Sequence, residues 1–449
     1  MPRDATVRVL GLCLALGFAL RVVLAWLVLT DTSVLMAADQ KTYLELADVL
    51  RAGLDFGPAF GTERVPAYPV FLALVQALTG TTFVGPVIVQ NLLGGLTVWA
   101  CWKLGRLFDE RTANLCAAMA ALNMNMAVYA NQMLTESLFM PLFAWALYWL
   151  CAHAVLGRTR DLILFSLACG FGLLVRPVGQ YLPLFMVPWL VMRPGGGALR
   201  ARLGQAALFL VLLAVCAAPW VARNVAVYGH AGLTTQGKAH LPGWIVPSVA
   251  RFEEGIDQAS AVQKYTNMWR EHLASMPDAV RGNPFACTDE AKRFAADYLS
   301  SVSPVSVAKA WLFGAARNLL VPVTVELAYI LDLQWTHFAD TAGSGMLEQI
   351  WNFLAGNENM VFVVMLVGGL VMMAILRLVQ LWGAVDLWRR SRAVFLVLAM
   401  MTVYFLAVSG PVGYAKYRLP YEPVFVLCTA LWLARLPWFR QRDTEGGRA

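Results

Sequence analysis

Asp39-Gln40-Lys41-Thr42-Tyr43-Leu44-Glu45-Leu46-Ala47-Asp48-Val49-Leu50-Arg51, continued by Thr62-Glu63-Arg64-Val65-Pro66-Ala67-Tyr68-Pro69, is the stretch around which the chain is organised. It follows a long apolar run and gathers Asp39, Lys41, Glu45, Asp48, Arg51, Asp55, Glu63 and Arg64 in a chain that is only 14% charged. Tyr43, Leu46, Ala47 and Leu50 recur at i, i+3, i+4 and i+7, which predicts an amphipathic helix over 40–52 headed by Asp39. Gly53 and Gly57 end it. The run after Pro69 stays apolar for about ten residues, roughly 15 Å of helix against a hydrocarbon core of about 30 Å. It is therefore expected to lie along a membrane surface or inside a bundle. Two short helices between spanning segments, the first headed by a carboxylate, point to a reaction centre on a membrane face.

Composition agrees. The chain has 449 residues, 59% of them hydrophobic, whereas a soluble globule has about half apolar and about a quarter charged residues. Repeated apolar runs of about 18 residues or more make it an all-α polytopic membrane protein. Its net charge of +7 comes from short basic clusters between apolar runs, so it is not a nucleic-acid signal. The eight cysteines form no disulfide framework. Seven lie in apolar runs, and Cys287 sits in a long polar loop.

In chain order, Arg3 and Arg8 precede an apolar run over 9–29, read as an uncleaved signal anchor with a cytoplasmic N-terminus. Spans are expected over 83–107, 113–133, 136–156, 162–175, 181–192 and 204–225. The basic groups Lys103/Arg106/Arg111, Arg158/Arg160 and Arg193/Arg200/Arg202 then all fall on the inner side. A polar segment, 230–304, forms a small external subdomain with helical stretches such as 289–299. Residues 311–330 are expected to be interfacial or re-entrant. Spans over 360–376, 393–408 and 420–436 follow, then a basic tail. The count is about ten spans, with twelve the alternative. The division is 1–229, a transmembrane catalytic module whose first external loop is 30–82; 230–304; and 305–449, the C-terminal helices.

Polar residues collect at the outward ends of these spans: Asp39, Glu63, Arg64, Asn131, Thr135, Glu136, Arg176, Arg223, Lys416 and Arg418. Bundle connectivity alone does not require carboxylates and arginines at so many places on one face. Together they describe a cleft with acids for a hydroxyl and cations for a phosphate.

Asp39 with Tyr43 and Leu46-Ala47, then Arg64-Val65-Pro66-Ala67-Tyr68-Pro69, Thr135-Glu136-Ser137, Arg176-Pro177, Pro219-Trp220-Val221-Ala222-Arg223-Asn224 and Arg418-Leu419-Pro420 resemble the GT-C membrane glycosyltransferases. Within them the family 39 group is most similar, that of protein O-mannosyltransferases and lipid A aminoarabinose transferases. The resemblance implies a GT-C-like bundle, a polyprenyl-phosphate sugar donor and inverting transfer at the outer face of a bacterial inner membrane. It matches the family's first-loop aspartate to Asp39 and its next acidic position to Glu136. Arg64, Arg176, Arg223, Lys416 and Arg418 become the donor-phosphate set, with Tyr43, Glu63 and Tyr68 as further substrate contacts. The acceptor is a lipid, glycan or protein, with membrane lipids around the bundle and no nucleic acid. No cofactor or metal site is assigned, a divalent ion being left open. Two departures stand out: Gln40 replaces the glutamate that follows the aspartate in protein mannosyltransferases, and Glu63-Arg64-Val65-Pro66 replaces Glu-Lys-Pro of the aminoarabinose transferases.

Each residue also has a plainer role. Asp39 is a good N-cap for helix 40–52, accepting from Lys41 or Thr42 amides. Glu136 suits a first helical turn capped by Thr135. The outer cations suit snorkelling anchors, and Arg21, inside the first span, either snorkels or faces the interior. His153 reads as structural. A transporter or flippase of lipid-linked sugars would place ionisable groups near the midplane in paired halves. A polymerase or ligase would concentrate its chemistry in late loops such as 230–304.

Overall fold

A backbone in lipid must satisfy its own N–H and C=O groups. The computed structural model describes residues 3–36, 39–193, 197–336, 341 and 346–437, and all the regular structure among them is helical. The first apolar run forms α1 (Arg3–Thr30), and the polar stretch gives the two short helices expected of it, α2 (Asp39–Gly53) and α3 (Ala67–Thr79). Then come α4 (Val84–Gly105), α5 (Glu110–Ala121), α6 (Met124–Tyr129), α7 (Glu136–Leu156), α8 (Thr159–Val175), α9 (Pro183–Met192) and α10 (Leu199–Tyr228). The segment expected to be external holds α11 (Gly237–His240), α12 (Val246–Glu253), α13 (Gln258–Ser275), α14 (Asp278–Arg281) and α15 (Pro284–Ser301). The chain closes with α16 (Pro304–Leu320), α17 (Thr324–Ile330), α18 (Met346–Gly356), α19 (Met360–Arg390), α20 (Arg392–Ser409), a 3₁₀ turn over Ala415–Tyr421 and α21 (Glu422–Leu433).

Among the described residues six helices are long and apolar enough to cross a membrane: α1 from Val7, α4, α7, α10, α19 and α20. The other expected crossings fall on shorter pieces. The stretch 113–133 is not one helix: α5 stops at Ala121, and Asn123 accepts from the Met126 amide to start α6. Residues 181–192 yield only the ten-residue α9, and 420–436 yields the end of the 3₁₀ turn and the twelve-residue α21. α8 runs 17 residues. Residues 311–330 divide between α16 and α17 at Val321-Pro322-Val323, where proline removes a backbone donor. α19 is far longer than the span 360–376, reaching Arg389 and Arg390 in its last turn. The basic tail lies outside the described residues.

α4 packs on α1, α5 and α7, α8 on α7 and α10, and α21 on α5 and α19. The α7–α8 hairpin turns at Gly157, whose φ of +67° strains any side-chain-bearing residue. At Gly383 a β-carbon would stand 1.8 Å from the Cys428 carbonyl oxygen, so α19 and α21 meet backbone to backbone.

The apolar face of the polar stretch is part of the main core, where Tyr43, Ala47, Leu50, Phe60, Val65, Tyr68 and Leu72 join residues of α4 to α8. Burying such side chains contributes about 1.5–3 kcal/mol each, which fixes α2 although its other face is charged. The buried positions of α2 are Gln40, Tyr43, Leu44, Ala47 and Leu50, while Leu46 is half-buried. The helical period is as read, and the face is turned slightly toward Leu44.

The external segment has a core of its own, built from Val246, Ala250, Ala261, Tyr265 and Ala295. Cys287 is not an open loop thiol. It is 6% exposed and its Sγ donates to the Val280 carbonyl at 3.2 Å. All eight cysteines are free. Arg21 faces the interior, and buried His153 places Nδ1 2.9 Å from the Arg158 carbonyl oxygen.

Candidate active site

Asp39 is the first residue of α2, yet among the described contacts its carboxylate turns to cations, not to the amides of Lys41 and Thr42. Oδ1 accepts from Arg64 Nη2 at 2.5 Å, and Lys416 Nζ stands 3.7 Å from Oδ2. The Arg64 guanidinium lies over the Tyr43 ring, 5.1 Å from its centroid, and Tyr43 meets Tyr68 edge-on at 5.1 Å. Burial opposes the Arg64 charge, but Tyr43, Asp39 and Glu63 raise its pKa above the ordinary arginine value.

Two buried amides hold this corner. Tyr68 donates its hydroxyl to Gln90 Oε1 at 2.7 Å, and Ser137 Oγ donates to the same oxygen at 3.0 Å. Gln90 Nε2 in turn donates to the Ala130 and Gln132 carbonyls, each at 3.1 Å. Gln40 donates to the Val34 carbonyl and accepts from the Met133 amide, both at 2.8 Å. An ionised glutamate at position 40 has no donor for Val34, so the departure from the protein mannosyltransferase pattern has a local reason.

Glu136 opens α7. It is buried, accepting from Thr135 Oγ1 at 3.0 Å and from Arg176 Nη1. The Thr135 hydroxyl thus serves the carboxylate and caps no amide. Arg176 follows α8 in extended backbone, φ −151°, which carries its side chain across to α7. Its guanidinium also lies 5.7 Å from the ring of Tyr417, the neighbour of Lys416. Both pairs act on the Tyr43 hydroxyl through their charges. Burial pushes it up to about 12, and Arg64, Glu136, Arg176 and Asp39 all act on it.

The external segment closes one side. Lys238 Nζ meets Glu63 at 2.8 Å, Thr234 Oγ1 donates to the Glu63 carbonyl at 2.7 Å, and the Thr235 amide donates to Thr62 O at 2.9 Å. His240 is half-buried near Lys416; burial first and that cation second hold its pKa below the ordinary 6.5. Lys238, His240, Tyr417 and Gln90 escaped the sequence reading. No local pattern marks them, since each acts through a partner distant in sequence.

Arg223 and Arg418 are not brought to the cluster. Arg223 is spent on carbonyls of the first loop, those of Phe56 (2.5 Å), Gly57 (2.6 Å) and Gly61 (3.0 Å). Arg418 is 1% exposed, with Nε on Glu422 Oε1 at 2.6 Å and Nη1 on the Asn318 and Val321 carbonyls at 3.0 and 2.8 Å. Both act as clamps in this structure, away from the Asp39 cluster.

Three cations (Arg64, Arg176, Lys416) therefore meet two carboxylates (Asp39, Glu136), an excess of one positive charge suited to an anionic ligand. A small apolar pocket, with room for roughly one water, is lined by Phe139, Leu142, Phe143, Gly179, Leu182 and Tyr404. Among the described residues no three His, Cys, Asp or Glu side chains gather to hold a metal ion.

Residues 63–221 match the model of the dolichyl-phosphate-mannose-protein mannosyltransferase family, just over a third of the chain. The apo oligosaccharyltransferase of Archaeoglobus fulgidus superimposes with a TM-score of 0.53 at 14% identity, over 96% of this chain and 50% of that one. The chain thus spans about half the length of that protein. ArnT from Cupriavidus metallidurans, crystallised with undecaprenyl phosphate, is 18% identical over 94% of this chain and 78% of its own, TM-score 0.42. No curated protein sequence matches. The chain thus shares the helical membrane fold of the archaeal oligosaccharyltransferase and, over 63–221, matches the mannosyltransferase family model.

Proposed function

We propose that this protein moves a sugar from a polyprenyl-phosphate donor to an acceptor hydroxyl, with inversion, at the periplasmic face of a bacterial inner membrane. The observation that carries this reading is the one-charge excess at Arg64, Arg176 and Lys416 over Asp39 and Glu136. A prenyl phosphate needs such cations for its head. The family matched over 63–221 is described by a dolichyl-phosphate sugar donor, which supports the same donor chemistry.

Asp39 is the general base. As the acceptor oxygen bonds to the anomeric carbon, its proton passes to the Asp39 carboxylate and the bond from that carbon to the phosphate oxygen breaks. The phosphate leaves with the electron pair. Arg176 and Lys416 stabilise the charge that develops on it, and Arg64 orients Asp39. Glu136 holds Arg176 in place.

The test is incubation of purified protein with radiolabelled polyprenyl-phosphate sugars and membrane extract. Label is expected to leave the lipid and appear on an acceptor with reversed anomeric configuration. Label that crosses a bilayer on its original carrier points to a flippase, and retention of configuration excludes direct displacement.

A further inference from the structure

Arg21 lies in the middle of α1 and is 1% exposed. Its Nη1 donates to the Gly17 carbonyl at 2.8 Å and to the Ala121 carbonyl at 3.2 Å. Nε and Nη2 are buried and have no partner. A guanidinium keeps its charge in a protein, and a buried cation without a counter-charge is costly by several kcal/mol. The nearby carboxylates are engaged elsewhere: Glu136 with Arg176 and Thr135, and Glu326 with Tyr129.

The side chain lines a small pocket with Thr97, Tyr129, Glu136, Ser137 and Met140. The pocket is narrow, with room for a monatomic ion or single waters and none for a sugar or a phosphate. Gly94 makes this possible, because a β-carbon there would stand 2.8 Å from Arg21 Nε and push the guanidinium aside.

We propose that Arg21 and this pocket form an internal site for a small monovalent anion such as chloride. The anion accepts from Nε and Nη2, supplies the missing counter-charge and ties α1 to α4, α6 and α7. Glu136, which also lines the pocket, is paired with Arg176, which lowers the repulsion the anion meets. The site borders the charged cluster at Glu136 but does not depend on the proposed reaction.

The test is the thermal stability of the purified full chain in detergent, in sodium chloride against sodium gluconate at equal ionic strength. A saturable gain of about 2 °C or more is expected in chloride, and Arg21→Gln should abolish the chloride dependence. No difference for the wild type, or the same difference in Arg21→Gln, overturns the site. Because Arg21→Gln changes a buried side chain of α1, Thr97→Val is the second variant, expected to fold and to need more chloride for half the gain. Bromide soaked into crystals gives an independent readout: anomalous density beside Arg21 Nη2 supports the site, and water alone there refutes it.

Discussion

Asp39 and Arg64, twenty-five residues apart, share a 2.5 Å hydrogen bond, so the head of α2 is tied to the loop before α3 by charge and not by a helix cap. The second Asp39 oxygen faces Lys416 from the far end of the chain at 3.7 Å.

Asp39→Asn should therefore leave folding near wild type while lowering turnover by about 100- to 10,000-fold, the usual loss for a general base. A donor analogue should still bind. Purified variant retaining more than half of wild-type turnover removes Asp39 from the chemistry.

Arg176 and Glu136 form a buried pair, and breaking such a pair from one side costs about 3–5 kcal/mol. Arg176→Gln should lower Tm, and adding Glu136→Gln should restore much of it without restoring affinity for the donor analogue. Arg176→Lys should rescue affinity only in part, because the planar fork is lost. Full affinity in the double variant would reduce Arg176 to a structural role.

The clamp at Arg418 predicts the opposite split. Replacing it alone strands Glu422 and should lose folded protein. Arg418→Met with Glu422→Leu should recover folding with donor affinity unchanged. A tenfold or greater loss of affinity in that folded double variant would return Arg418 to the phosphate set.

Topology can be read at Asp278, whose side chain is 92% exposed in the external segment. Asp278→Cys should react with a membrane-impermeant maleimide in intact cells, whereas native Cys287 should stay unlabelled until the protein is denatured. Labelling of residue 278 only after lysis places the whole cluster on the cytoplasmic face.

His240 gives a pH signature. Burial and Lys416 lower its pKa in the folded state, so the unfolded chain takes up the proton first as pH falls. The stability is complete above the ordinary value of 6.5 and declines as pH drops below it. Tm measured from pH 7.5 to 5.5 should fall less steeply in His240→Gln than in wild type. Identical slopes would remove His240 as the source.

The sequence alone determined the class of the protein and the helices of its polar stretch. Long apolar runs leave a backbone in lipid no alternative to helix, and the i, i+3, i+4, i+7 spacing of Tyr43, Leu46, Ala47 and Leu50 is a local property. It also assembled the short motifs, Asp39 to Arg418, that resemble GT-C enzymes. It did not determine where a run would break, as at Asn123 and Pro322, because capping and packing compete there with hydropathy. Nor did it separate Arg64, Arg176 and Lys416 from Arg223 and Arg418. All five are cations at span ends, and only tertiary structure decides which guanidinium meets a carbonyl at 2.6 Å and which meets a carboxylate. Charge is written in the sequence, but its partner is chosen by distance, and distance between residues 39 and 416 exists only after the bundle has closed.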